Sequence, residues 1–138
     1  MNLKLLFILT ATTLLAGCAT PSPQEIAAFD YGTPPGPDYK TRVMTYFTDT
    51  LKDPYSAHID IQAPEKFWYQ EPALADGWTG GQRHAGWMVR VLVNAKNSYG
   101  GYVGNETYGF FFQNSRLVKV LEPDDWSTMG TISDPLFR

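Results

Sequence analysis

The chain has a single cysteine, Cys18, so no intramolecular disulfide and no cysteine metal cluster can form. Histidine occurs only at His58 and His84. A metal site of two histidines and a carboxylate would need both of them to converge with Asp60 or Asp76, and nothing in the spacing requires that. No Gly-x-Ser-x-Gly elbow is present to expose a serine nucleophile. Asp60, Glu65 and Glu71 could supply a carboxylate pair for glycoside cleavage, but carboxylates that dense are ordinary on an acidic surface. There is no basic block, which argues against nucleic acid and against electrostatic capture by anionic lipid headgroups. No apolar stretch is long enough to cross a bilayer as a helix, since the longest, Leu5 to Leu15, has the length of a signal-peptide core. The residues therefore point to no metal, no cofactor and no catalytic set, and a non-enzymatic protein is expected.

That apolar stretch follows the positively charged start Met1-Asn2-Leu3-Lys4 and ends in Leu15-Ala16-Gly17-Cys18. The small residues suit a narrow peptidase site and the thiol is a nucleophile. The segment resembles the lipobox of bacterial lipoproteins. The resemblance implies that residues 1–17 are a cleaved signal peptide, that Cys18 receives diacylglycerol, and that the new amino terminus is acylated, commonly with palmitate. Alanine rather than aspartate at position 19 implies the outer membrane, with the folded part facing the periplasm. Several acyl chains, at about 0.8 kcal/mol per buried CH₂, hold such a protein firmly. Removing Lys4 leaves fourteen acidic against ten basic side chains. Residues 18–37, rich in Pro, Ser, Gly and Thr, read as a lipid-anchored flexible tether, with room for one loose helical turn at Ile26 to Phe29. Residues 38–138 are enough for one domain.

Within that domain Asp38 is placed to cap a helix, and Tyr39, Val43, Tyr46, Phe47 and Leu51 recur at helical spacing until Asp53-Pro54. Tyr55, Ala57, Ile59 and Ile61 alternate as a half-buried strand that Pro64 ends, and Phe67 to Tyr69 form a short strand or an aromatic loop. Gln70 to Gly86 reads as a long loop. Trp87, Val89, Val91, Val93 and Ala95 then alternate with polar neighbours, and Tyr108, Phe110 and Phe112 do so beyond Gly100-Gly101. With the two glycines as a tight primed turn, paired residue numbers sum to 201, and Val93, Val91 and Val89 face Tyr108, Phe110 and Phe112. A three-residue turn at Asn114 to Arg116 sets Val118 against Phe112 and Val120 against Phe110. A two-residue turn would instead bring Leu117 and Lys119 inward. The tail from Trp126 to Phe137 reads as coil packed on the domain. The fold expected is α+β: one N-terminal amphipathic helix packed on a small antiparallel β-sheet with a long central hairpin.

The hairpin segment Val93-Asn94-Ala95-Lys96-Asn97-Ser98-Tyr99-Gly100-Gly101-Tyr102-Val103-Gly104 resembles a motif, Val-Asn-Ala-Lys-Asn-x-x-Gly-Gly-Tyr-x-Gly, of small secreted proteins and lipoproteins of Gram-negative bacteria. Leu51-Lys52-Asp53-Pro54-Tyr55-Ser56-Ala57 resembles the same group's Leu-Lys-Asp-Pro-x-Ser-Ala. The resemblance covers about Tyr39 to Val120 and implies compartment and domain limits, without an activity. Members often carry Cys-Gly where this chain has Arg90-Val91.

The glycines cannot cradle a phosphate, because a strand rather than a helix follows them. As a turn they place Asn94, Lys96, Asn97, Ser98, Tyr99 and Tyr102 at one exposed tip, a candidate binding loop for an envelope protein or peptidoglycan. Turn chemistry alone also accounts for these residue types, with Asn97 and Ser98 satisfying the backbone and Tyr99 stacking on Tyr102. The function read is a lipid-anchored binding or accessory module of the cell envelope. The alternatives are a periplasmic hydrolase using His58 or His84, and an inhibitor or immunity protein acting through the Tyr99–Tyr102 loop.

Overall fold

The computed structural model describes residues 20–72, 81–127 and 129. Cys18, Asp76 and the tail residues Ile132, Leu136 and Phe137 lie outside the described residues. Among the described residues the fold is mixed α+β, with a five-stranded antiparallel sheet and few helices. No described helix is long and apolar enough to cross a membrane.

The first helix, α1 (Pro23–Ala27), is short and is held by a capping box: the Ser22 hydroxyl accepts from the Glu25 amide, and the Glu25 carboxylate accepts from the Ser22 amide. Those hydrogen bonds hold the Glu25 carboxyl below its ordinary range. The second, α2 (Tyr39–Thr50), buries Val43 and Phe47, with Tyr39, Tyr46 and Leu51 around them. Asp38 occupies the N-cap without a side-chain cap bond, contrary to expectation, because its carboxylate pairs with Arg42 at 2.8 Å. After α2 the Asp53 carboxylate accepts from the Ser56 amide and Pro54 fixes a 3₁₀ turn over Pro54–Ser56. This turn delays the first strand, so Tyr55 is 95% exposed rather than half-buried.

The strands are β1 (His58–Ile61), β2 (Glu65–Gln70), β3 (Arg83–Asn94), β4 (Glu106–Gln113) and β5 (Arg116–Leu121). β3 pairs with β4 on one edge, and with β2 and then β1 along the other. Paired numbers sum to 152 for β1 and 153 for β2, so one extra residue lies between them. A single inserted residue reverses which face each side chain takes. Ile59 and Ile61 accordingly join Val43, Phe47, Val89, Val91, Val93, Phe110 and Phe112 on the α2 face. Phe67 and Tyr69 join Met88, Phe111, Leu121 and Trp126 on the opposite one. The sheet is therefore buried on both faces, and β3 begins at Arg83 where the sequence read a loop to Gly86.

The central hairpin keeps the expected faces but shifts its register by two. Pairs sum to 199, setting Val93 against Glu106, Val91 against Tyr108 and Val89 against Phe110. Gly100-Gly101 is not the central pair of the turn. The Gly100 amide donates to the Asn97 carbonyl across Ser98 and Tyr99, and only Gly100 of the pair has a positive φ, +82°. That arrangement is a three-residue hairpin loop whose last position needs φ > 0. Gly104, at φ +99°, adds one more residue before β4. The next turn also differs: Asn114 and Ser115, at φ 48° and 64°, make a two-residue turn. A bulge then makes Val118 the odd residue, 52% exposed, which restores Val120 opposite Phe110 while Leu117 takes the place opposite Phe112. Lys119 avoids burial by laying its ammonium 5.5 Å from the Tyr69 ring centre.

Trp126, in a 3₁₀ turn at Asp125–Ser127, lies over Gly109 and donates from Nε1 to the Thr107 carbonyl at 2.9 Å. A Cβ at Gly109 would stand 2.7 Å from the indole, so Gly109→Ala should cost about 1–3 kcal/mol in urea unfolding. Gly101→Ala, with its nearest neighbour at 3.8 Å, should change stability by less than about 0.5 kcal/mol. Burial, and a hydrogen bond to Glu122, push the Tyr46 hydroxyl up to about 12. The unfolded chain ionises this phenol near 10 while the folded chain still holds the proton, so Tyr46 contributes stability below about pH 10 that is lost as pH rises toward 12. Tyr46→Phe should flatten that part of an alkaline stability profile measured by denaturant titration.

Candidate functional site

The two motif stretches, some forty residues apart in sequence, meet at one end of the sheet. The first follows α2 and carries the 3₁₀ turn; the second is the loop between β3 and β4. Lys52 Nζ donates to Ser98 Oγ at 2.8 Å, and the Tyr102 hydroxyl donates to the Ser56 carbonyl at 3.0 Å. The Tyr102 ring stacks on His58, with centroids 5.1 Å apart and planes 27° apart. Lys96 Nζ lies 5.4 Å from the Tyr102 ring centre, and Lys96 and Tyr102 form an isolated β-bridge. Hydrogen bonds from Ser56 hold the Asp53 carboxyl below its usual range, with the Lys96 charge adding to that.

Each residue of the candidate loop has a definite place. Asn94 ends β3, and its Oδ1 accepts from the Gly104 amide. Asn97 Oδ1 accepts from the amides of Tyr99 and Gly101 at 2.9 and 3.1 Å, the local side-chain bonding that lets asparagine start a turn. Ser98 differs from expectation: its hydroxyl meets Lys52 instead of the turn backbone. Tyr99 does not stack on Tyr102 either. It stands at the apex, 97% exposed, because Tyr102 is already engaged by His58. Tyr55, equally exposed, stands on the adjoining turn, and sequence alternation had placed it inside a strand. The tip thus offers two solvated tyrosine rings on a backbone held by side-chain hydrogen bonds.

A concavity lies at the far end of β3. It is an open groove of about 560 Å³ whose walls include Phe29, Asp30, Arg83, His84 and Gln113. His84 stacks on Tyr69 with ring centres 4.8 Å apart, and its Nε2 lies 3.0 Å from Glu71 Oε1. Burial, reinforced by the Glu71 charge, raises the Tyr69 hydroxyl. Arg83 Nε donates to Gln70 Oε1. His58 pairs across from Asn94 and His84 sits ten positions earlier on β3, so about 33 Å of strand separates the two histidines. Among the described residues no group of three His, Cys, Asp or Glu side chains could hold a metal ion. The side chain at Arg90, where the resembling proteins often carry cysteine, is 14% exposed and pairs with Glu65.

No family model matches the chain, and neither a curated protein nor a solved structure does so. The fold defines it as an α+β protein.

The two Asn97 bonds predict a local effect. Asn97→Ala should speed hydrogen exchange at the Tyr99 and Gly101 amides by about fivefold to tenfold, the loss of roughly 1 kcal/mol of hydrogen bonding. Amides in the middle of β3 should exchange unchanged.

Proposed function

We propose that this protein is a lipid-anchored module of the bacterial cell envelope that binds another envelope protein or peptidoglycan and catalyses nothing itself. In this reading Cys18 carries the acyl anchor in the outer membrane, and an α+β domain with an amphipathic helix on its sheet faces the periplasm. The observation that carries it is the apex of the β3–β4 loop, where Tyr99 is 97% exposed on a backbone pinned through Asn97. A rigid amphipathic ring loses little conformational entropy on contact, which suits it to recognition. An inhibitor or immunity role would use the same tip, with the Tyr99–Tyr102 loop seated in a partner's cleft. Truncating such an anchor, as in Tyr99→Ala, should weaken a complex by about 1–2 kcal/mol or more.

A hydrolase reading rests on the other end of β3. The His84–Glu71 pair beside the groove is the arrangement that orients an imidazole as a base. It lacks an assigned nucleophile, and His58 is covered on one face by Tyr102. A photo-crosslinking residue at position 99 in intact cells should give a discrete adduct, whereas the same residue at exposed Val118 should give none. Equal labelling from both positions counts against the binding tip. An activity lost in His84→Ala with unchanged melting temperature would favour the hydrolase.

A further inference from the structure

Residues 20–34 are fastened to the sheet rather than left as a free spacer. Pro21 is buried and Ser22 caps α1. Phe29 meets Trp68 edge-on at 5.9 Å, Tyr31 lies under the Lys66 ammonium, and Trp87 Nε1 donates to the Gly32 carbonyl at 3.1 Å. At the β4–β5 turn, the Ser115 amide donates to Thr33 O and its hydroxyl to Pro34 O at 2.7 Å. Lys66, Trp68 and Trp87 occupy the α2 face of the sheet, beside the part that the helix covers. All these contacts lie toward the Arg83 end of β3, where Phe29 and Asp30 also wall the groove. The 95–104 loop lies at the opposite end, and the eleven steps of β3 alone place it about 36 Å away.

The anchor site is close to the strap in sequence. Three peptide steps separate Cys18 from buried Pro21, a reach of no more than about 11 Å. We propose that the strap makes the attachment short and directional: it holds the Arg83 end of the sheet next to the bilayer and presents the Tyr99 tip outward, to a partner lying beyond the lipid surface rather than to lipid. This inference rests on the reading of Cys18 as the acylated residue, and it deepens that reading by saying which end of the molecule meets the partner. A flexible spacer over residues 18–37 would allow every orientation, including one with the exposed tyrosines resting on headgroups.

The test uses the full acylated chain in phosphatidylethanolamine–phosphatidylglycerol vesicles with an acceptor dye on a headgroup. A donor is attached to Tyr99→Cys or to Gln82→Cys, both exposed positions, and acylation of Cys18 leaves the introduced thiol as the reactive one. Strong energy transfer is expected from position 82, and transfer from position 99 should correspond to a distance more than about 30 Å greater. Ten Gly/Ser residues inserted between Thr20 and Pro21 should erase that difference, because a flexible linker of that length spans about 18 Å in any direction. Equal transfer from both positions in the uninserted chain, transfer greater at 99, or a difference that survives the insertion each overturns the orientation. Mass spectrometry separates the two readings: an unmodified Cys18 with no vesicle capture overturns the anchoring itself, while an acylated Cys18 with equal transfer overturns the orientation alone.

Discussion

Strand β3 is paired with β2 at Arg83–Met88 and with β1 at Val91–Asn94 along one edge, and with β4 at Trp87–Val93 along the other, and it buries side chains on both faces. Val89, Val91 and Val93 meet Phe47 and Phe110 on one face, while Met88 meets Phe111 and Leu121 on the other. A strand in that position cannot slip by one residue without exchanging two different apolar sets at once. Clusters of polar and aromatic side chains stand at its two ends. The tyrosine tip and the His84 groove are those two ends.

Three local irregularities adapt the other strands to this one. The extra residue between β1 and β2 turns Ile59 and Ile61 toward α2 and Phe67 and Tyr69 away from it, so one sheet edge serves both cores. Gly104 and the bulge at Val118 each insert one residue and keep the aromatic residues of β4 aligned with the interior. The cores then differ in character. The first is valine and phenylalanine under a helix, and the second is closed by one indole lying on Gly109 and hydrogen-bonded to Thr107. Removing Phe47 from the first would leave a cavity costing about 3–5 kcal/mol.

The tip draws its shape from residues far apart in the chain. Ser98 takes a hydrogen bond from Lys52, and Tyr102 is fixed by Ser56 and His58. These contacts release Tyr99 and Tyr55 from any internal role and leave them to solvent. The 20–34 strap does the reverse: a segment whose composition suits an extended spacer is held because Trp68, Trp87 and the Asn114–Ser115 turn offer it an uncovered part of the sheet.

Alternation along 87–95 and 108–112 was enough to decide which side chains of the hairpin face inward, since side-chain direction in a strand has period two whatever its partners are. The same local logic picked out the Val43 and Phe47 stripe and the Asn97 turn. Register was beyond it. The number of residues spent in the 95–105 loop, in the Asn114–Ser115 turn and in the bulge at Val118 depends on how β3, β4 and β5 fit over a common core. The same holds for Tyr102 on His58 and for His84 beside Glu71, where each partner comes from another strand or loop. Periodicity is a property of neighbours in sequence, whereas register and stacking come from long-range packing, which only the folded chain brings together.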